Sequence, residues 1–506
     1  MQRQVRQFES RPIGGRFGIS VELPTIDDVR DYEEERIQLS HGYPRFVAHS
    51  VVVDKERLAR ISTGMPFAVA FPSLRQAHFI LDDFIQRYCP RRGFFSLDVA
   101  ALLFMNTIHP GRKSSRVVGD PHTLILVEVD GLTVACLGRK QDYDRLRSLR
   151  RTWGSGFDVH TLAGATLDGP EAPTSELVSK IVDLEGDRAC GALFFQSGMA
   201  AIASVVVLSV YLKRRFILVG PAYVDTNTII NDWGMAIGPL SCVRLPYDVT
   251  ENALEAELEK GPAVLFLEMP TNPNLTVVDL PTLSKAAEKH DALVVVDGTI
   301  ITPFNMRLLD HGVDIVVHSS SKFLSGRLNH LGGILSAASK ELLSLLTDIQ
   351  LALDLGMCRQ QQLVLLEDLK GFDDRMTVIN ANAAVIAERL MASDDVARVF
   401  YPGLLSSEQE ALASRLFTPG YSGLVSFLLK DESPEGLARF YDGVSSPVKK
   451  GPGFGGETSL LCPYVMLAHY NDDKDNLRKA GLDFHLLRLS VGTEPVDDIW
   501  QALHLS

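Results

Sequence analysis

His318-Ser-Ser-Ser-Lys322-Phe-Leu-Ser-Gly326-Arg-Leu-Asn-His330-Leu-Gly-Gly333 holds a single lysine, behind three serines and ahead of a glycine-rich run. Residues 314–317 read as a short apolar strand that feeds the serines. Just upstream, Val294-Val-Val-Asp297-Gly-Thr reads as another, ending in a carboxylate. A lysine coming off a buried strand has its charged form disfavoured by desolvation. A neutral amine is what Schiff-base chemistry needs. The serine hydroxyls beside it can hold phosphate oxygens, and Asp297 can pair with a protonated ring nitrogen. On its own, a lysine after serines is as a rule a solvated surface residue. Its companions decide otherwise.

Those companions follow a regular order. From about residue 175 the pattern alternates between strands and helices. Residues 177–185 are amphipathic, and Ala192-Leu-Phe-Phe-Gln runs into Ser197-Gly198-Met199-Ala-Ala-Ile and a long apolar helix ending near Tyr211. A strand, a tight glycine turn and a helix expose free amides and the positive end of a helix dipole, a geometry that binds phosphate. Further strands are expected at 216–219, 263–268, 293–297, 315–318 and 333–336. Such alternation implies a mainly parallel sheet. Ligands sit at the carboxyl ends of such strands, which is where Asp297 and the serines fall. The combination of lysine, hydroxyls, phosphate-binding turn and carboxylate suits pyridoxal phosphate.

Residues 1–160 form a separate unit. Within it, residues 123–137 read as two strands around Asp130-Gly131, a hairpin signal, and residues 74–88 have helical spacing of apolar positions. Pro90-Arg-Arg-Gly93 reads as a loop, and the four arginines between 145 and 151 suggest a basic helix. No catalytic constellation shows in this unit, which reads as a structural or assembly module. A PLP-binding domain is expected over 161–345, then a smaller α+β domain over 346–506, with a helical stretch over 340–393 and an apolar strand over 423–429. Near the end come Lys450-Gly-Pro-Gly-Phe-Gly-Gly456 and Leu486-Leu-Arg488-Leu-Ser-Val-Gly492. Arg488 lies inside an apolar strand. It is either a surface residue on an edge or a buried fork for a carboxylate.

Composition narrows the class. The 506 residues are 46% apolar and carry a net charge of −13, from 50 Lys and Arg against 63 Asp and Glu. No basic stripe points to nucleic acid, and no run of about 18 apolar residues points to a membrane. The six cysteines show no CxxC or metal spacing, so no metal is expected and buried thiols in a reducing compartment are. The beginning of the chain has no apolar core of signal-peptide length. These readings describe a cytoplasmic enzyme.

With these motifs in order, the chain resembles the Cys/Met-metabolism family of pyridoxal-phosphate enzymes, the cystathionine γ-synthase and γ-lyase group. The resemblance covers residues 173–495. It rests on Phe195-Gln-Ser-Gly-Met-Ala-Ala-Ile202, Glu268-Met-Pro-Thr-Asn272-Pro-Asn-Leu275, Val295-Val-Asp297-Gly-Thr-Ile-Ile-Thr-Pro303, the lysine segment and Arg488-Leu-Ser-Val-Gly492. Ile19-Ser-Val-Glu-Leu-Pro-Thr25 and Ser40-His-Gly-Tyr-Pro-Arg-Phe46 resemble the extension of fungal-type cystathionine γ-synthases.

The resemblance implies an α/β, fold type I (aspartate aminotransferase-like) architecture with an extra amino-terminal α+β domain, and a homodimer or homotetramer. It implies γ-replacement or γ-elimination on an L-amino acid. Lys322 would carry the cofactor and move protons, with Asp297 on the ring nitrogen. Gly198, Met199, Ser319 and Ser321 would hold the phosphate. Tyr223, in Gly220-Pro-Ala-Tyr223, would stack on the ring and help transfer protons. Asn272 would contact the ring hydroxyl, Glu268 would support the site, and Arg488 would bind the substrate carboxylate.

The departures leave a second reading open. The family's Tyr-x-Arg phosphate clamp is Leu167-Asp-Gly169 here. The asparagine usual after the strand aspartate is Gly298, the histidine and aspartate after the lysine are Arg327 and Asn329, and a serine-leucine-glycine-glycine run is Gly453-Phe-Gly-Gly456. An altered substrate face would suit an unusual amino acid, such as a halogenated one eliminated to an unsaturated product. A non-catalytic relative is the remote alternative. A phosphate without its clamp wants another cation. The candidates upstream are Arg150, Arg151 and His160.

Overall fold

The structure, a computed structural model, describes residues 6–8, 11–14, 18–39, 43, 50–73, 76–77, 80–81, 84, 114–119, 122–129, 132–153, 174–233, 241–404, 407–479 and 481–506. The loop expected at 90–93, the Asp130-Gly131 turn, His160 and residues 167–169 lie outside the described residues, as does most of the expected 74–88 helix.

The centre is a seven-stranded sheet in the order Cys242–Leu245, Arg215–Val219, Ala263–Glu268, Leu293–Asp297, Ile315–His318, Gly333–Ala337, Gly191–Phe195. The first five are parallel to one another, and Gly333–Ala337 runs antiparallel to both of its neighbours. Continuous β-branched and aromatic runs such as Val294-Val-Val and Val264-Leu-Phe-Leu suit strands buried on both faces, and these residues are 0–1% exposed. The edge strand Cys242–Leu245 was not expected. It is short and half-exposed and so lacks the apolar run of the others.

Helix Gly198–Tyr211 begins where Ser197 caps it, the Ser197 hydroxyl accepting the Ala200 N–H at 3.1 Å. This helix is apolar on nearly every side, which requires cover all round. The sheet supplies one side. Phe71, Ala77, Leu149 and Trp153 of the amino-terminal unit share the same core and supply another. That unit is a four-stranded antiparallel sheet, Phe67–Phe71, Leu132–Leu137, His122–Val129, Ser114–Gly119, with helices Ser50–Thr63 and Lys140–Thr152. The hairpin partners pair from Leu124 with Leu137 to Val129 with Leu132.

The carboxyl-terminal domain is a five-stranded sheet in the order Val396–Phe400, Leu424–Leu429, Leu487–Ser490, Leu460–Pro463, Lys449–Lys450, packed on helix Phe372–Ala392. Residues 12–39 do not stay with the amino-terminal unit. Val21, Leu23, Ile26, Val29, Ile37 and Leu39 share one core with Ile386, Tyr441, Leu487 and Leu489. Helix Lys340–Leu353 runs unbroken across the boundary expected between 345 and 346. Among the described residues, no helix is long and apolar enough to cross a membrane.

Candidate active site

Parallel register sets two acids side by side. Glu268 pairs with Asp297 across adjacent strands, both at carboxyl ends, and Asp297 lies opposite Val317, one residue before His318. The Tyr223 N–H donates to Glu268 Oε1 at 2.5 Å, and the Thr299 N–H donates to Asp297 Oδ1 at 2.9 Å. Burial pushes the Glu268 carboxyl up to about 8, and the negative charge of Asp297 adds to the rise. Burial also raises Asp297, opposed by hydrogen bonds from Thr299 and by His318. Two buried carboxyls this close resist carrying two charges together, so burial and their mutual repulsion favour a proton on the pair.

Behind Asp297, His318 Nε2 and Glu185 Oε1 lie 2.7 Å apart, both side chains 1% exposed. Burial alone would depress the imidazole, but Glu185 outweighs it and holds His318 above its usual range. Gly298 packs directly on the His318 ring, leaving no room there for the family's asparagine without a shift: a Cβ would lie 2.8 Å from Cε1.

The acid pair makes a testable prediction for cofactor-free protein. A carboxyl whose folded pKa is raised binds more protons folded than unfolded, so its contribution to stability falls as pH rises from about 4.5 to about 8. Glu268→Gln removes that slope. Thermal denaturation of wild type and variant across this range should diverge in the variant's favour toward pH 8, and parallel curves would refute the buried pair.

Lys322 lies within the turn of residues 320–325 that follows the strand, its N–H donating to the Ser319 carbonyl at 3.2 Å. Its Nζ lies 4.8 Å from the Tyr43 ring centroid and 5.0 Å from that of Phe454. Gly455, at φ +82°, crosses directly over the lysine backbone, where a Cβ would come within 2.9 Å of Lys322 Cβ. The serines divide. Ser319 packs its side chain against Gly198 at the start of the capped helix, close enough that a Cβ on Gly198 would meet Ser319 Cβ at 2.9 Å. The Gly198 and Met199 amides there lie ahead of the helix's own ladder. Ser321 is set apart: its hydroxyl accepts the Gly332 N–H at 2.9 Å and is fully buried. Ser320 contacts His330 Nε2 at 3.0 Å.

Arg488 is 3% exposed and lies on a central strand, so the edge-strand reading is corrected. Its Nη1 donates to Asn272 Oδ1 at 3.0 Å and its Nη2 to the Gly453 carbonyl at 2.8 Å. The Asn272 amide donates to the Tyr464 hydroxyl at 3.2 Å. The guanidinium lies 4.9 Å from the Phe454 ring and 4.7 Å from the Tyr464 ring. Among the described residues no carboxylate pairs with Arg488, and its buried Nε has no partner. A buried cation without a counter-ion is costly unless an anion arrives. Phe454 thus has Lys322 and Arg488 both against its ring.

Of the three upstream candidate cations, Arg150 and Arg151 are among the described residues. Arg150 turns into the amino-terminal sheet, donating to the Ala70 carbonyl at 2.8 Å. Arg151 pairs with Asp225 at 3.0 Å, in the first turn of helix Val224–Trp233 just past Tyr223. The contributions of Phe454, Tyr464, Glu185 and His318 were missed. Phe454 and His318 stand inside motifs already quoted, whereas Tyr464 and Glu185 carry no local signal. Tyr43 was quoted only as part of the extension.

These parts fit pyridoxal phosphate: a lysine, a buried aspartate at a strand end for a ring nitrogen, a capped helix start with a serine closed onto its glycine, and a buried arginine with no carboxylate partner among the described residues. Residues 170–506 match the family described as Cys/Met metabolism PLP-dependent enzyme. The chain is 30% identical over 332 residues to a cystathionine beta-lyase of Lactococcus lactis subsp. cremoris, covering 65% of this chain and 84% of that one. It is 29% identical over 395 residues to the chloroplastic cystathionine gamma-synthase 1 of Arabidopsis thaliana, covering 78% and 66%. A solved cystathionine gamma-lyase from Lactobacillus plantarum, complexed with L-serine, superposes with a TM-score of 0.60 at 26% identity, covering 65% of this chain and 84% of that one.

Proposed function

The chain belongs to the Cys/Met-metabolism family of pyridoxal-phosphate-dependent enzymes, and we propose that Lys322, Asp297, Tyr223 and Arg488 carry its chemistry. The reaction is γ-replacement or γ-elimination on an L-amino acid with a leaving group at Cγ. The observation that supports this assignment of residues is the buried, counter-ion-free Arg488 sharing the Phe454 ring with Lys322.

Bound at Lys322, the cofactor supplies an electron sink for charge released at Cα. Asp297 would hold the proton on the ring nitrogen, with Glu268 one strand away. Gly198 and Met199 amides, with Ser319, would hold the phosphate, and Ser321 would join them once its hydroxyl leaves Gly332. Tyr223 would stack on the ring, and Asn272 would contact the ring hydroxyl. Arg488 takes the α-carboxylate in two-point fashion. Lys322 Nζ would take the proton from Cα, give it up, and, neutral again, take one from Cβ; the Cβ–H electron pair would form the Cβ–Cγ double bond as the bond from Cγ to its substituent breaks and that pair departs with the leaving group. A thiol then adds at Cγ, or the unsaturated product is released.

The halogenated-substrate alternative gains nothing from relatives whose names concern cystathionine and methionine. A homodimer or homotetramer and a cytoplasmic setting belong to the same proposal, and light scattering tests the former. Mass spectrometry of products from a panel of γ-substituted L-amino acids tests the reaction. No product from any member would overturn it.

Arg488→Lys should spare cofactor binding and lower kcat/KM about ten- to a hundredfold, since a charge-assisted contact is worth roughly 1.5–3 kcal/mol. Substrate analogues without the α-carboxylate should react equally poorly with both proteins. An equal drop on those analogues would assign Arg488 to the fold.

A further inference from the structure

The amino-terminal segment is bound to both loops that surround Lys322. The Ile19 N–H donates to the Leu328 carbonyl at 2.7 Å, in the loop that follows the lysine. The Leu23 N–H donates to the Lys450 carbonyl at 2.8 Å, the Ser20 hydroxyl bonds to the Pro452 carbonyl, and Gly451 lies so close to the Val21 carbonyl that a Cβ would clash at 2.1 Å. Those three contacts fall on the loop that brings Phe454 to the lysine. Ile13, Ile19, Leu328 and Leu460 close into a small core, and Tyr43 packs against it. The Tyr43 ring then faces Lys322 Nζ at 4.8 Å, with the Phe454 ring at 5.0 Å. Two aromatic rings from segments some 400 positions apart in sequence meet at one amine.

We propose that Tyr43 is a positioning residue of the active site, supplied by the chain's own amino-terminal segment. With Phe454 it forms an aromatic wall that orients the Lys322 amine and screens it from water. This rests on Lys322 being the cofactor's lysine. The ring is the working part, since a π face attracts an ammonium group and excludes solvent without any hydroxyl. The amino-terminal segment is thereby part of the site and not only an accessory to assembly.

The experiment reads the amine directly. Protein stripped of cofactor is treated with a limiting amine-acylating reagent, and the modification rates of Lys322 and of exposed Lys430 are followed by peptide mass spectrometry. Tyr43→Ala should label Lys322 about five- to tenfold faster than wild type, with Lys430 unchanged. Tyr43→Phe should restore the wild-type rate. In the holoenzyme, kcat/KM should fall by a similar factor in the alanine variant and recover in the phenylalanine one. Should Tyr43→Ala fail to fold, Tyr43→Leu replaces it and must also label faster, since it keeps bulk without a π face. Wild-type labelling in the alanine or leucine variant, or fast labelling in Tyr43→Phe, overturns the wall. Labelling is measured without cofactor, so it stands apart from the question of which lysine carries the cofactor.

Discussion

Lys322→Ala protein should purify folded but colourless, lacking the visible absorbance of lysine-bound cofactor, with turnover reduced by about 10⁴-fold or more, the scale on which loss of a covalent-catalysis residue acts. The physical grounds are local. Lys322 is half-buried, and its amine contacts two aromatic rings. Removing the side chain leaves Gly455 still lying over its backbone, so the loop should keep its path. Thermal stability should therefore change little while colour and turnover vanish together. A variant that keeps both places the cofactor on another lysine. Lys450 is the buried alternative, but its amine donates to the Asp442 carbonyl, away from the acid pair.

Much of this site was legible in the sequence because its parts lie at the ends of uninterrupted apolar strands. Valine runs announce strands buried on both faces, and a carboxylate or histidine closing such a run marks the carboxyl edge. Asp297 and the 319–321 serines were found that way, and Glu268 through the family resemblance. What stayed hidden was long-range. Nothing in Leu486-Leu-Arg488-Leu tells a central strand from an edge one; that depends on Leu424–Leu429 and Leu460–Pro463 arriving on either side. Ser321 and Ser319 are indistinguishable by composition, yet the antiparallel return through Gly332 takes one hydroxyl and leaves the other facing Gly198. Arg150 and Arg151 are adjacent in sequence, and a helix necessarily sends neighbouring side chains to different faces. The separation of residues 12–39 from the rest of the amino-terminal unit has the same origin. Their apolar positions needed a face, and the sheet that provides it is assembled more than 350 positions later.

Asp297→Asn should retain a fraction of the cofactor but lose about 10²–10³-fold in kcat, the usual loss when one preorganised electrostatic partner of the reacting group is removed. An amide has nearly the shape of the carboxylate and can still accept the Thr299 N–H. It lacks the negative charge that keeps a ring nitrogen protonated, so the electron sink is weakened while the binding surface survives. Glu268 makes the outcome informative. In the wild type the charge of Asp297 helps hold its proton on, second only to burial. Without that charge, the Glu268 carboxyl ionises at lower pH, and a carboxylate one strand away becomes available to the same nitrogen. Residual activity of Asp297→Asn should then depend on Glu268, and the added change Glu268→Gln should abolish it. Near-normal turnover in the single variant that disappears in the double one would move the ring-nitrogen role from Asp297 to Glu268. Near-normal turnover in both would remove the acid pair from the mechanism, leaving the two buried carboxyls as a feature of the sheet alone.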